Sequence, residues 1–414
     1  MRVAAGVADV VLRYNSGPRF RFGETEYDES LLDATLFDSL KTFAPGEYFD
    51  QASLREFQAR LQRTNYFSSV VVQPLLERTR GDTVPIEVNL QAAKRHSFDV
   101  GVGYSTDTQE RVSLTWRTPR INRFGHSQVT RLELSPVNPS GRITYSIPIT
   151  DPLNDIAQLW GKLEANKYGD IDSRQAELGA RRETKVGKWI YAYSLRGLNE
   201  SWDVWDTSKT SDYLLPGGSL SRRQHSGSLV DPPAGFNQLY TLEAGSQQMG
   251  SDTDLLRATA ELRYVFTPWP RHRVVSRAEA GAVEIANGDR NDVPPSLAFF
   301  AGGSQSIRGY AYQSLGAEVS VQQADGRTKT LVVGGDRLLI GSLEYQYYFT
   351  GKWRGAVFVD AGDAFNDGEY ETKVGAGLGI HYISPVGAIR VELANSVSER
   401  KPQWYLHFNI GTEF

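Results

Sequence analysis

The stretch GSLEYQYYFTGKWRGAVFVDAGDAF, residues 341–365, decides the fold class. Successive side chains of a strand point to opposite faces. In an extended chain Leu343, Tyr345, Tyr347 and Phe349 therefore share one face, and Ser342, Glu344, Gln346 and Tyr348 share the other. The same period of two recurs outward in both directions. In RVSLTWR, Val112, Leu114 and Trp116 oppose Arg111, Ser113, Thr115 and Arg117, and in RITYSI, Ile143, Tyr145 and Ile147 oppose Thr144 and Ser146. The closing segment WYLHFNIGTEF sets Trp404, Leu406, Phe408, Ile410 and Phe414 against Tyr405, His407, Asn409 and Glu413.

From about Ser97 onward no helical period interrupts this pattern. An apolar face against a charged one suits a transmembrane antiparallel β-barrel with an aqueous lumen. A soluble β-sandwich alternates too, but strands of about ten residues with aromatic residues near their ends favour the barrel. Roughly 320 residues at about 20 per strand and connection give about sixteen strands, an even number as single-chain barrels require.

Composition permits this reading. Among the 414 residues 40% are hydrophobic and mean hydropathy is -0.41, and no run of about 18 apolar residues exists for a helical span. Alternation averages out hydropathy, so a barrel is not excluded. The chain has no cysteine, hence neither disulfides nor thiolate metal sites. A net charge of -4 gives no basic surplus for nucleic acid. The opening residues MRVAAGVADV lack the apolar core of a signal peptide, so an export signal and further domains are expected upstream of this chain.

The first ninety or so residues read differently. PRFRFGETEY alternates as a strand, ESLLDATLFDSL follows as a helix, and Asp50 stands where a cap would begin a second helix. In that helix Leu54, Phe57 and Leu61 share a face. Two strands follow, in SSVVVQPLLE and PIEVNLQA, giving a β-α-α-β-β module over residues 18–94. Residues 1–17, with ADVVLRYNSGP, read as the last strand of a preceding module, and residues 95–414 as the barrel.

The connection at about 286–335 is much too long for a turn, and long loops in compact proteins are usually functional. It carries FFAGGSQSIRGY, in which Gly302 and Gly303 precede Ile307, Arg308, Gly309 and Tyr310. On the next strand Glu344 faces the polar side, and on the one after it Asp360 is expected to reach the same side through a twist or bulge near Val359. A guanidinium binds carboxylates through paired hydrogen bonds. The loop is therefore expected to fold into the barrel and dock Arg308 on Glu344 and Asp360.

FFAGGSQSIRGY, GSLEYQYYFTGKWRGAVFVDAGDAF, SPVGAIRVELA and the terminal Phe414 together resemble the outer-membrane assembly barrels, the family of BamA and TamA. GVGYSTD at the first barrel strand and SGPRFRFGE before the module are similar to the TamA branch in particular. The resemblance covers essentially the whole chain. It implies a sixteen-stranded barrel whose sixth extracellular loop carries the motif Arg308-Gly309-Tyr310, with Glu344 and Asp360 as its acidic partners. The β-α-α-β-β module would be the membrane-proximal POTRA domain, placed in the periplasm beneath the bacterial outer membrane. Gly303, Ser304 and Gln305 depart from the more charged run expected in that branch.

The resemblance further implies insertion of client β-barrel proteins, autotransporters among them, without ATP, and contact with outer-membrane lipid. An inner-membrane-anchored partner, TamB, would bind through POTRA domains. The gate would lie at the seam of first and last strands, where FDVGVGYS turns Asp99, Gly101 and Gly103 inward and the last strand turns Gly411 inward beside Phe408 and Phe414. Glycines tolerate bending and pack nothing, which predicts a weakly paired seam, although relief of crowding in the lumen is the plainer account of them. The alternative is a pore of the two-partner secretion type that exports a polypeptide through the lumen. An enzyme is not expected: His96, His126, His225, His272, His381 and His407 are scattered, and none has the spacing of a nucleophile's base or a metal ligand. No cofactor is expected.

Overall fold

The computed structural model describes residues 2–4, 7–9, 19–228, 230–287, 290–322, 327–385 and 387–411. It divides into two compact units, one running up to Arg95 with residues 119–126 and 150–153 added, the other holding the remainder.

In the first unit two short strands, β1 (Arg2–Ala4) and β2 (Val7–Asp9), pair antiparallel. The strand read in ADVVLRYNSGP lies mostly outside the described residues. Then come β3 (Arg21–Glu26), α1 (Ala34–Leu40), α2 (Gln51–Arg63), β4 (Phe67–Pro74) and β5 (Thr83–Ala92). The sheet order is β3-β5-β4, with β5 parallel to β3 and antiparallel to β4. Asp50 caps α2 by accepting the Ser53 N–H at 2.9 Å. Leu54, Phe57 and Leu61 are buried against Phe22, Phe37, Phe43 and Ile86, so one apolar helix stripe meets one sheet face.

The second unit is a closed antiparallel barrel of sixteen strands. The first eight are β6 (Ser97–Ser105), β7 (Gln109–Thr118), β8 (Ser127–Leu134), β9 (Ser140–Pro148), β10 (Asp155–Tyr168), β11 (Ile171–Val186), β12 (Trp189–Val204) and β13 (Thr207–His225). Next are β14 (Gly235–Gly245), β15 (Asp254–Trp269) and β16 (His272–Asn287). The long connection at 288–336 carries its own hairpin, β17 (Glu318–Gln322) and β18 (Thr328–Val332). The barrel closes with β19 (Arg337–Tyr348), β20 (Trp353–Phe365), β21 (Lys373–Ser384), β22 (Gly387–Ser396) and β23 (Trp404–Gly411).

Alternation explains the wall. On β19, Ile340, Ser342, Glu344 and Gln346 are buried, whereas Leu339, Leu343, Tyr345 and Tyr347 are exposed on the outer face. Leu378 and Ile380 on β21, and Leu393 on β22, extend this exposed apolar exterior. Apolar side chains outside and charged ones inside, with the backbone groups of neighbouring strands paired in ladders along the wall, is the arrangement that suits hydrocarbon. No described helix is long and apolar enough to cross a membrane.

β20 corrects one expectation. Its register against β19 runs without a shift from Arg337↔Phe365 to Tyr348↔Arg354, so there is no bulge near Val359. Val357 and Val359 face outward, and Asp360, of opposite parity, points inward by plain alternation.

Candidate functional site: the lumenal arginine and the seam

The long connection returns into the barrel and buries Arg308, which is 2% exposed. Two glycines permit the approach. Gly309 has φ +93 and lies so close to the wall that a Cβ would stand 2.9 Å from the Asn395 carbonyl. On the wall, a Cβ at Gly375 would collide with the Arg308 carbonyl oxygen. Ile307 and Tyr310 pack beside Val283, Phe299, Ala301 and Ile340, which fixes the loop on both sides of the arginine.

Arg308 uses its whole fork. Nε and Nη2 donate to the two oxygens of Asp360 at 2.7 and 2.9 Å, and the backbone N–H of Arg308 adds a third bond to Asp360 at 3.0 Å. Nη1 donates to Glu344 and, at 3.0 Å, to Glu392. The Phe358 ring lies 3.4 Å from the guanidinium carbon, a cation–π arrangement. Burial alone works against the charged guanidinium, but the Asp360 bonds and the Glu344 and Glu392 charges outweigh it and raise its pKa.

Sequence reasoning named Glu344 and Asp360 and missed the third carboxylate. Glu392 lies on β22, with Ala388 and Ala394 of the same parity also buried. Reading IRVELA with the parity test applied to β19 would have found it. His381, scattered from the other histidines in sequence, joins the same cluster. Its Nε2 meets Glu392 at 2.9 Å, while its Nδ1 accepts from Arg354 Nε at 3.2 Å. With Nδ1 accepting, Nε2 carries the proton that Glu392 receives.

From His381 the network continues to the connection between β13 and β14. Arg354 Nη1 donates to Asp231 at 2.8 Å and Tyr348 donates to the same carboxylate at 2.7 Å. Arg273 Nε reaches the Pro232 carbonyl and its Nη1 reaches Gln346 at 2.6 Å; Gln346 in turn donates to Glu344. Arg273 and Arg354 are fully buried, so buried charge is matched by fixed partners along the whole chain of contacts.

Glu344, His381 and Glu392 bring ligand-type atoms within 4.8 Å of one another. Arg308 Nη1 already bonds to both carboxylates. The guanidinium thus occupies the place a cation would take, and this donor set is a seat for an arginine.

The seam between β23 and β6 is built differently. Among the described residues the two strands share one paired position, Asn409↔Ser105. Thr106 N–H donates to the Phe408 carbonyl at 3.1 Å, and the Phe408 N–H meets Thr106 Oγ1 at 3.3 Å. On their other sides β23 pairs with β22 over eight positions and β6 with β7 over nine. Gly411 stands opposite Ala388 on β22. Gly101 and Gly103 face the lumen, where a Cβ on Gly101 would stand 2.6 Å from Ser113 Oγ and one on Gly103 3.7 Å from the Arg111 guanidinium. Rotation of the Ser113 hydroxyl would make room for a Cβ at 101, since the next atom, Ser113 Cβ, is 4.0 Å away. Phe414 lies outside the described residues.

Residues 80–414 match the Omp85 superfamily domain. The chain is 27% identical over 368 residues to the outer membrane protein assembly factor BamA of Nitratidesulfovibrio vulgaris, covering 84% of this chain and 45% of that protein. It therefore spans about half the length of that relative. Among solved structures, BamA from Haemophilus ducreyi lacking POTRA domains 1–3 superposes with a TM-score of 0.84 at 15% identity, covering 96% of this chain and 85% of that one. CdiB from Acinetobacter baumannii gives a TM-score of 0.60 at 14% identity, covering 95% and 74%. At such identities the likeness is one of fold. With a matched family domain that takes in the whole barrel and its docked arginine loop, the chain belongs to the Omp85 superfamily.

Proposed function

We propose that this chain is the barrel portion of an outer-membrane assembly factor of the TamA type. It inserts client β-barrel proteins, autotransporter-like ones included, through a lateral gate between β6 and β23, without ATP. Residues 18–94 act as a POTRA domain in the periplasm, where TamB is the partner expected, and the docked motif at 307–310 holds the wall beside the gate. The observation that carries this reading is the seam, with one paired position among the described residues where its flanking ladders have eight and nine. An edge left unpaired offers its N–H and C=O groups to an incoming strand, and edge addition needs no energy source beyond the new backbone bonds. The likeness to BamA proteins supports the assembly-factor reading.

The test is a covalent lock on the seam. The chain has no native cysteine, so Ser105→Cys with Asn409→Cys, the paired position, gives one defined disulfide. Client insertion into liposomes is expected to stop when the pair is oxidised and to return on reduction. Full insertion through a quantitatively locked seam would overturn the gate. It would favour instead a pore exporting a polypeptide through the lumen, the reading to which the fold likeness to CdiB lends weight.

A further inference from the structure

The loop that carries Arg308 also holds both strands that meet at the seam. Ser304, four residues before the arginine, donates through its backbone N–H at 2.8 Å and its Oγ at 2.6 Å to one oxygen of Asp107. Asp107 lies in the turn between β6 and β7, the hairpin on one side of the seam. Gly309, one residue after the arginine, donates its backbone N–H to Nε2 of His407 at 3.1 Å. His407 is buried on β23, the strand on the other side.

The two halves of the contact face each other. His407 Nε2 accepts from Gly309, so the ring proton belongs on Nδ1. That atom is buried without a hydrogen-bond partner and lies 3.9 Å from the free oxygen of Asp107. Ser304, Asp107, His407 and Gly309 thus form a ring that crosses the seam from the lumen. It lies beside Asn409↔Ser105, the backbone pair that the described residues form across the seam. Tyr310 adds a tie to the connection before β23, its hydroxyl 2.8 Å from Ser398 Oγ.

We infer that residues 304–310 act as a staple that holds the seam shut, with Asp107 and His407 as its two anchor points and Arg308 as its fixed base. Elsewhere, each barrel seam is closed by a ladder of backbone bonds that no single side chain controls. Here the described residues hold one ladder position, and two charge-assisted bonds to Asp107, roughly twice as strong as neutral ones, make up a large share of the polar contact among them. Strand opening therefore has to break the bonds to Asp107 or to His407, while the Arg308 cluster on β19, β20 and β22 can remain intact. The staple rests on the gate reading for its purpose, but its existence is tested without any client.

Nitroxide labels on Val102→Cys and Leu406→Cys, both outward and exposed on β6 and β23, report the seam width by pulsed dipolar spectroscopy of the full chain in lipid. Asp107→Ala is expected to move the distance distribution outward, raising the fraction of separated strands several-fold over the parent. Asp107→Asn, which keeps an acceptor oxygen, is expected to fall between. Protease resistance of the 288–336 connection, retained in both variants and lost in Arg308→Ala, shows that the arginine is still docked. Should Asp107→Ala fail to fold, Ser304→Ala removes the 2.6 Å bond alone and is expected to widen the seam to a smaller extent. Unchanged distances in the folded variants would overturn the staple, whatever the disulfide lock shows. A widened seam with client insertion unaltered both there and under the lock would leave the staple standing and sink the gate.

Discussion

β12 and β13 pair over fifteen positions without a register shift, whereas among the described residues β23 and β6 share one. Both are contacts between neighbouring strands of one closed barrel, yet they are held by different physics. The long pair has a continuous backbone ladder, so its stability is spread over many similar bonds. The seam depends on a few side chains and a docked loop, where one substitution removes a large fraction of what holds it. The wall opposite the loop's tip is intermediate. β19, β20 and β22 have full ladders and also carry the buried arginine cluster, which ties the loop to them.

The sharpest way to break this contrast is Arg308→Ala, which leaves three buried carboxylates facing one another without their counter-ion. Removing one partner of a buried pair costs about 3–5 kcal/mol. Urea unfolding in lipid vesicles should show a loss of that size, with Arg308→Lys between, since an ammonium lacks the fork that spans Asp360. A loss within about 0.5 kcal/mol, as for an ordinary surface substitution, would mean that the ladders alone hold the wall.

The second effect in size concerns the outer face. Leu378, 65% exposed in the middle of β21, should lose about 2–4 kcal/mol as Leu378→Arg if it faces hydrocarbon near the midplane. The same change on a water-facing strand would be nearly neutral, so the measurement separates a membrane wall from a soluble one. Next comes Asp231→Ala, which deprives fully buried Arg354 of a carboxylate while His381 and Tyr348 still contact it. An effect of about 1–3 kcal/mol is expected. Smallest is Arg117→Ala, which removes the exposed ion pair with Asp99 in the β6–β7 hairpin. Under about 1 kcal/mol is expected there, so the seam's hairpin should be insensitive to its rim charge and sensitive to Asp107.

The period of two, read from residues 341–365 outward, determined the wall, its inside and outside, and the approximate number of strands. It did so because every barrel strand solves the same local problem, lipid on one face and a polar interior on the other. A single arginine among glycines in an overlong connection, with Glu344 facing the lumen on the next barrel strand, was also visible in one dimension. Asp360 needs no twist or bulge, since simple parity already points it inward. The sequence could not say which lumenal residues meet across the barrel. Glu392, His381, Asp231 and Arg354 come together because closing the sheet brings β19 through β22 and a distant connection to one place. Asp107 and His407 become neighbours only when the first and last strands meet. Parity is a property of each strand alone, whereas those contacts depend on register, closure and the path of a returning loop, and only the tertiary structure sets these.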